Sequence, residues 1–292
     1  MALKKRKIEW LDVVAILIVS FFAVCIVLPF YHVLIVSFTT QKEYLDTPFM
    51  LFPIAPTLKN YSTLFADGRI LVGYRTTLQI LLVGLPLNLL LTTSFAYGIS
   101  RKGFPGRSVI FYMVLITMLF NGGIIPLYLL MKDMSLTNTL WSVILVYGVN
   151  TFYMIIMRNY FSSLPESLIE SAKLDGSGEW HTLFTIILPI SMPIMATITL
   201  FYAVDRWNEW YYSMIFIRKS SIQPLQLILR SIVIDSQVAT HISTAGINLG
   251  DIQFTFGLKM AAIIVTMTPV MCVFPFLQKH FVKGVLVGAI KS

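Results

Sequence analysis

The sequence is poor in charge. Of its 292 residues only 12% are Asp, Glu, Lys or Arg, against about 25% in soluble domains. So few polar groups cannot cover a water-exposed surface, and 57% of the residues are hydrophobic. An ordinary soluble fold is excluded, and lipid is the main solvent of a chain whose mean hydropathy is +0.78. Cysteine is also scarce. Cys25 and Cys272 both sit in apolar runs, where a thiol behaves as a small hydrophobe, so neither a disulfide framework nor a thiolate metal site is indicated. His32, His181, His241 and His280 are scattered without zinc-ligand spacing. No Gly-Lys dipeptide occurs, which rules out a Walker-type phosphate loop. The chain is therefore read as no enzyme and as holding no cofactor of its own. The formal charge of +8 comes from small groups of Lys and Arg beside apolar runs. That placement serves membrane orientation and argues against nucleic acid.

What is present is length of apolar sequence. A helix needs about 20 apolar residues to cross the hydrocarbon core. Six stretches qualify: 11–37, 74–98, 108–131, 138–160, 186–212 and 258–280. The first run, from Leu11 to about Phe38, is too long for a cleaved leader and reads as a retained helix. Between the third and fourth stretches only Lys132 to Thr137 remain, which predicts a tight antiparallel hairpin. The predicted fold is an all-α membrane protein, one transmembrane domain over 1–292. Pro86, Pro126, Pro189, Pro193, Pro269 and Pro275 fall in or at the ends of these spans, where each removes a backbone donor and favours a bend.

Short loops rich in Lys and Arg stay on the cytoplasmic side. Lys4, Lys5, Arg6 and Lys7 precede span one, Arg101, Lys102 and Arg107 follow span two, and Lys279, Lys283 and Lys291 lie in the tail. Six spans put all three groups on one face. Both termini and the segment 161–185 are thus expected in the cytoplasm, and segments 39–73 and 213–257 outside. The stretch Ser236 to Gly250 is small, polar and without sustained periodicity, and reads as loop.

The segment 161–185 differs from the rest. Glu166, Glu170, Asp175 and Glu179 concentrate acid in a chain that has little of it. Pro165 can open a helix with Glu166 and Glu170 near its positive end, Leu168, Ile169 and Ala172 share a side, and Gly176 is suited to end it. A second short helix over Glu179–Phe184 completes an elbow. An amphipathic elbow lying on lipid is the bland alternative, but an acidic excess has the wrong sign for an anionic leaflet.

The run Glu170-Ser171-Ala172, three residues, Gly176, nine residues, then Ile186-Ile187-Leu188-Pro189 resembles the signature loop of binding-protein-dependent ABC importer permeases. In that pattern Glu-Ala-Ala, Gly and Ile-any-Leu-Pro keep the same spacing, and Ser171 is the one small-for-small departure. The strings Asn121 to Tyr128, Trp207-Asn208-Glu209-Trp210, Pro224 to Arg230 and the tail from Lys283 are similar to the carbohydrate branch, nearest to a complex-oligosaccharide subgroup of the maltose-type smaller permeases. The resemblance covers nearly the whole chain.

It implies a permease subunit of a bacterial cytoplasmic-membrane importer for a sugar, with a non-sugar solute or an ion-driven secondary transporter as alternatives. A secondary transporter is expected to carry buried ionisable groups in its spans or an inverted repeat, and only the group at 205–209 hints at either. The implied partners are a second permease subunit, two copies of an ABC ATPase that hold ATP and Mg, an extracytoplasmic solute-binding protein and membrane lipid. The resemblance assigns ATPase coupling to Glu170, Ser171, Ala172, Asp175, Gly176, Leu188 and Pro189, and places the segment Ser236 to Gly250 where related permeases probe the binding protein. For the substrate pathway, Asn121, Trp207, Asn208 and Trp210 are candidates, since polar groups in a membrane tend to face a cavity and sugars meet aromatic faces and amides. The tryptophans equally suit interfacial anchors. Arg206 and Glu209 stand three residues apart, the spacing of a helical ion pair.

Overall fold

Apolar sequence folds as helix wherever lipid offers the backbone no partner, and helix dominates this protein. The structure is a computed structural model and describes residues 10–66, 68–244 and 255–289, the last parts of α13 and α14 by their backbone alone. Lys4, Lys5, Arg6, Lys7 and Lys291 lie outside the described residues, as do 245–250 of the segment Ser236 to Gly250.

In chain order the helices are α1 (Trp10–Ser37), α2 (Gln41–Asp46), α3 (Lys59–Ala66), α4 (Arg69–Ser100), α5 (Arg107–Leu119), α6 (Ile124–Asp133), α7 (Leu140–Val146) and α8 (Thr151–Ser162). They continue as α9 (Glu166–Leu174), α10 (Glu179–Ile190), α11 (Met192–Trp207), α12 (Tyr211–Phe216), α13 (Leu225–Thr244) and α14 (Thr255–Ala289). Helices α1 and α4 and the stretch Phe256–Val273 of α14 are each long and apolar enough to cross a bilayer. Three further pairs meet that test only together, each bent at a break: α5 with α6 by 112°, α7 with α8 by 48°, and α10 with α11 by 89°. If each pair makes one crossing, the chain has up to six.

The breaks have local causes. Between α5 and α6, Gly123 takes a left-handed φ of 86° and its amide donates to Asn121 Oδ1 at 2.9 Å. At the start of α8, Asn150 caps the helix by accepting from the amides of Phe152 and Tyr153 at 3.0 and 3.3 Å. Between α10 and α11, Pro189 and Pro193 flank Ser191 and remove two donors from the ladder, which is where the sharp bend falls. Hydropathy averages over such breaks, so the sequence reads 108–131 and 138–160 as unbroken spans.

Contacts divide the chain into two units, one of Met1–Gly68 with Ser231–Thr268, the other of Arg69–Arg230 with Pro269–Ser292. In the first, the end of α1 is pinned by Asn60, whose amide donates to the Ser37 and Thr39 carbonyls at 2.9 and 3.0 Å. The ring of Tyr44 stacks on Phe256 at 4.6 Å. Upstream of that pin, none of the apolar window of α1 is buried. The segment 39–73, expected as an outer connection between spans, carries helices α2 and α3 and the first turn of α4.

The second unit is built on α4, α8 and α11. Ala96, Tyr97 and Ile99 of α4, Met154, Met157 and Phe161 of α8, and Ile198 and Tyr202 of α11 form its buried core. Beside that core lies a buried polar knot. The guanidinium of Arg206, 1% exposed, donates from Nε and Nη2 to Asn88 Oδ1 at 3.0 and 2.8 Å, and to the carbonyls of Val143 and Ile144 at 2.9 and 2.8 Å. Asn88 Nδ2 in turn donates to the carbonyls of Tyr147 and Gly148. All four carbonyls belong to the end of α7 and the break after it. The last carbonyls of a helix have no partner within it, and this is the negative end of its dipole. A cation and an amide are therefore what that position requires. Arg206 does not close the ion pair with Glu209 that their spacing suggests; Glu209 Oε1 instead accepts from the Ser213 amide at 2.9 Å, at the start of α12.

One further difference concerns 213–257. Leu225, Ile228 and Ile232 are buried at helical spacing, and α13 runs on to Thr244, into the stretch that reads as loop. The i, i+3, i+7 pattern is in the sequence but is short and gives way to polar residues.

Asn88→Ala strips the Arg206 guanidinium of its side-chain acceptor and leaves two carbonyls bare, which should cost about 3 kcal/mol. Thermal unfolding in detergent should show a lower midpoint than for Asn88→Asp, which keeps the acceptor; equal midpoints would contradict this account of the break.

Candidate coupling loop

The loop between α8 and α11 is held by apolar anchors on one side and presents its polar residues on the other. Ile169 and Ala172 of α9 are 6% and 4% exposed, while Glu170, Ser171 and Asp175 face solvent. Leu183 and Ile187 of α10, each 1% exposed, enter the same core as Ile169, with Leu188 packed on its edge and Pro189 exposed. Helix α9 follows Pro165 and ends in a Schellman turn. Gly176, at φ 76°, donates to the Lys173 carbonyl at 3.0 Å, and Ser177 donates to the Ala172 carbonyl at 2.9 Å. A Cβ at Gly176 would meet nothing within 4 Å, so its glycine answers to backbone conformation and not to space.

After the turn, Thr182 Oγ1 donates to the Gly178 carbonyl at 3.1 Å, and α10 widens into a π-helix over Thr182–Ile187. The second short helix is thus longer than Glu179–Phe184. Two large apolar side chains remain uncovered at the tip: Leu174, 89% exposed, and Trp180, 64% exposed. Neither stands out in the sequence as a site residue. Their exposure on a charged loop is what a protein-binding surface shows.

The acids of this loop divide into two groups. Glu166 accepts from Lys102 Nζ at 2.5 Å. Glu179 Oε2 accepts from the Tyr97 hydroxyl at 2.8 Å and lies 3.8 Å from Arg101 Nε, while its Oε1 lies 3.1 Å from Lys173 Nζ. Glu170 and Asp175 carry no ion pair among the described residues. The basic turn 101–107, read from sequence only as an orientation signal, is therefore also the internal partner of the acidic loop. Opposite charge in two short loops on one membrane face is the signal that could have found it. Bonding from Lys102 holds the Glu166 carboxyl below the ordinary value of 4.5. For Glu179, burial pulls the carboxyl upward, but Tyr97, Lys173 and Arg101 outweigh it and leave the group below 4.5 as well.

The proposed pathway residues are not gathered into one site. Asn121 turns its side chain onto Gly123 at the α5–α6 break. Trp207 is half-buried at the end of α11, with its ring edge-on to Tyr74 at 6.3 Å, and its indole nitrogen finds no acceptor among the described residues. Asn208 is exposed, and Trp210 lies under the Arg230 guanidinium at 5.0 Å.

Residues 88–287, which contain this loop, match the family described as the binding-protein-dependent transport system inner membrane component. The chain belongs to that family. It is 39% identical over 272 residues to the polygalacturonan/rhamnogalacturonan transport system permease protein YtcP of Bacillus subtilis strain 168, covering 93% of this chain and 94% of that one. Protein LplC of the same organism is 37% identical, covering 96% and 95%. Among solved structures, a bacterial ABC transporter involved in the import of the acidic polysaccharide alginate superposes with a TM-score of 0.84 at 27% identity, over 96% of this chain and 100% of that one. Members of this family are membrane subunits of ABC transporters and are not themselves enzymes, and their place is the inner membrane.

Gly176→Ala should cost about 1–2 kcal/mol through the left-handed backbone, and Gly176→Asn far less. The difference should appear in amide exchange of α9, and equal exchange in the two variants would remove the backbone explanation. The pH response follows from the two lowered carboxyls. Their pairing is fully present above 4.5 and is lost as pH falls through the lower folded values. Exchange protection of α9 should therefore be flat from neutral pH down to about 5 and collapse only in stronger acid.

Proposed function

We propose that the chain is the permease subunit of an ATP-driven importer of oligosaccharides, acidic ones foremost, and that the loop from Glu170 to Pro189 couples it to a separate ATPase. The observation that carries the sugar reading is near-full-length similarity to a permease for polygalacturonan and rhamnogalacturonan, joined by the likeness to an alginate importer. All three of those polymers contain uronic acids. Coupling is supported by a loop anchored through Ile169, Ala172, Leu183 and Ile187 that leaves Glu170, Ser171, Asp175, Gly176 and Leu174 free to meet another protein. Leu188 and Pro189 join that loop to the bend at Ser191, so force on the loop reaches α11.

In this reading the partners are a second permease, two ATPase subunits that bind ATP and Mg, and a solute-binding protein on the outer face. Both termini and the coupling loop lie in the cytoplasm, and the chain forms a single transmembrane permease domain. The sugar route runs past Trp207, Asn208 and Trp210, with Asn121 at a separate break.

The test is ATP hydrolysis by the assembled complex with its binding protein, using oligogalacturonides, rhamnogalacturonan fragments, alginate oligomers and arabino-oligosaccharides. At least one acidic oligosaccharide should stimulate hydrolysis several-fold, and Glu170→Lys should abolish that stimulation while the protein remains in the membrane. Stimulation by amino acids or peptides, and by no sugar, would sink the assignment.

A further inference from the structure

One of the loop's exposed acids is tied back to the helix that precedes the basic turn. We infer that Glu179 is a positioning residue that ties the coupling loop to α4, so that α9, the turn at Gly176 and the cytoplasmic end of α4 move as one body. This rests on the coupling reading above. Glu179 bridges three groups on two elements. Tyr97 and Arg101 belong to α4 and the turn after it, and Lys173 lies in the last turn of α9, across Gly176.

The alternative tie is weaker. The Lys102–Glu166 pair joins the same elements but is one contact between two exposed side chains, and isolated pairs of that kind contribute little. Glu179, itself 54% exposed, engages three groups at once, two of them on the largely buried Tyr97 and Arg101. Tyr97 is 6% exposed and packs edge-on against Phe161 at 6.3 Å, so one of the three contacts to Glu179 is a fixed one. Arg101 lies over the Tyr97 ring at 5.6 Å and adds an electrostatic contact at 3.8 Å, while the hydrogen bond to the carboxylate comes from the Tyr97 hydroxyl. Charge-assisted bonds of this kind are stronger and more directional than neutral ones.

A strut between loop and α4 has a mechanical consequence. α4 also carries Asn88, which holds the α7–α8 break through Arg206. Displacement of the loop is then delivered to two helices, α11 through the chain itself and α4 through Glu179.

The experiment uses the complete transporter in nanodiscs, with Cys25 and Cys272 replaced by serine and spin labels on Ser167 of α9 and Leu90 of α4. In the parent protein the inter-label distance should be the same without nucleotide and after trapping with ATP and vanadate. In Glu179→Gln the trapped state should shift or broaden, and Glu179→Asp should restore the parent distribution. Uptake per ATP hydrolysed should fall about tenfold in Glu179→Gln, the scale of one lost charge-assisted bond, with the ATP KM unchanged. An unaltered distance distribution in Glu179→Gln would overturn the strut. So would loss of co-purification with the ATPase, which would make Glu179 a contact to the partner. The distance measurement needs no substrate, so a wrong sugar leaves it intact. Failure of the parent complex to assemble with an ATPase would instead sink the permease reading.

Discussion

The second structural unit depends on one buried cation. Arg206 closes the end of α7 by donating to the Val143 and Ile144 carbonyls, and Asn88 both accepts from Arg206 and donates to the two carbonyls that follow. A broken helix inside a bilayer is tolerated only if the freed backbone groups find partners, because water is absent. Here one arginine and one asparagine, from α11 and α4, supply them. The 48° bend between α7 and α8, the register of α4 against α8 and the position of α11 are thereby fixed together. Tyr202, one helical turn before Arg206, extends the arrangement by bonding Thr92 at 2.6 Å and accepting from the Asn150 amide at 2.8 Å.

Around this knot the unit behaves as a frame with an appended part. The frame is apolar, interlocked and built from α4, α8 and α11. The appended part is the acidic loop, which borrows the same core for its anchors and keeps its polar side chains at the tip. On the coupling role proposed above, such a division suits transmission of motion without unfolding, since packed interiors respond by discrete rearrangement and not by continuous deformation.

The sequence discloses these features unevenly. Long apolar runs reveal helices because lipid leaves few alternatives, so α1, α4 and α14 are legible almost directly. The breaks are not, since a window of hydropathy passes smoothly over Gly123, Gly148 and Ser191. Arg206 and Asn88 are more than a hundred residues apart, and no local spacing relates them; Glu209, three positions away, offers the nearer and incorrect partner. The loop was legible as a helix, a glycine turn and an acidic face because each is a local property. Its tie to α4 is not, because Tyr97 and Glu179 are 82 residues apart and meet only in the folded chain. Proline and helical periodicity gave partial notice elsewhere: Pro189 and Pro193 mark the 89° bend, and Leu225, Ile228 and Ile232 mark α13.

The Schellman turn at Gly176 has an implication for partnership. Because Gly176 and Ser177 already satisfy carbonyls at the end of α9, the tip presents few bare backbone groups to whatever grips it. Recognition must then be written in side chains, in Glu170, Ser171, Leu174 and Asp175, and side chains can be rewritten one at a time. On the coupling role proposed above, the fit to an ATPase would be adjustable at a handful of surface positions while the fold beneath them stays as it is.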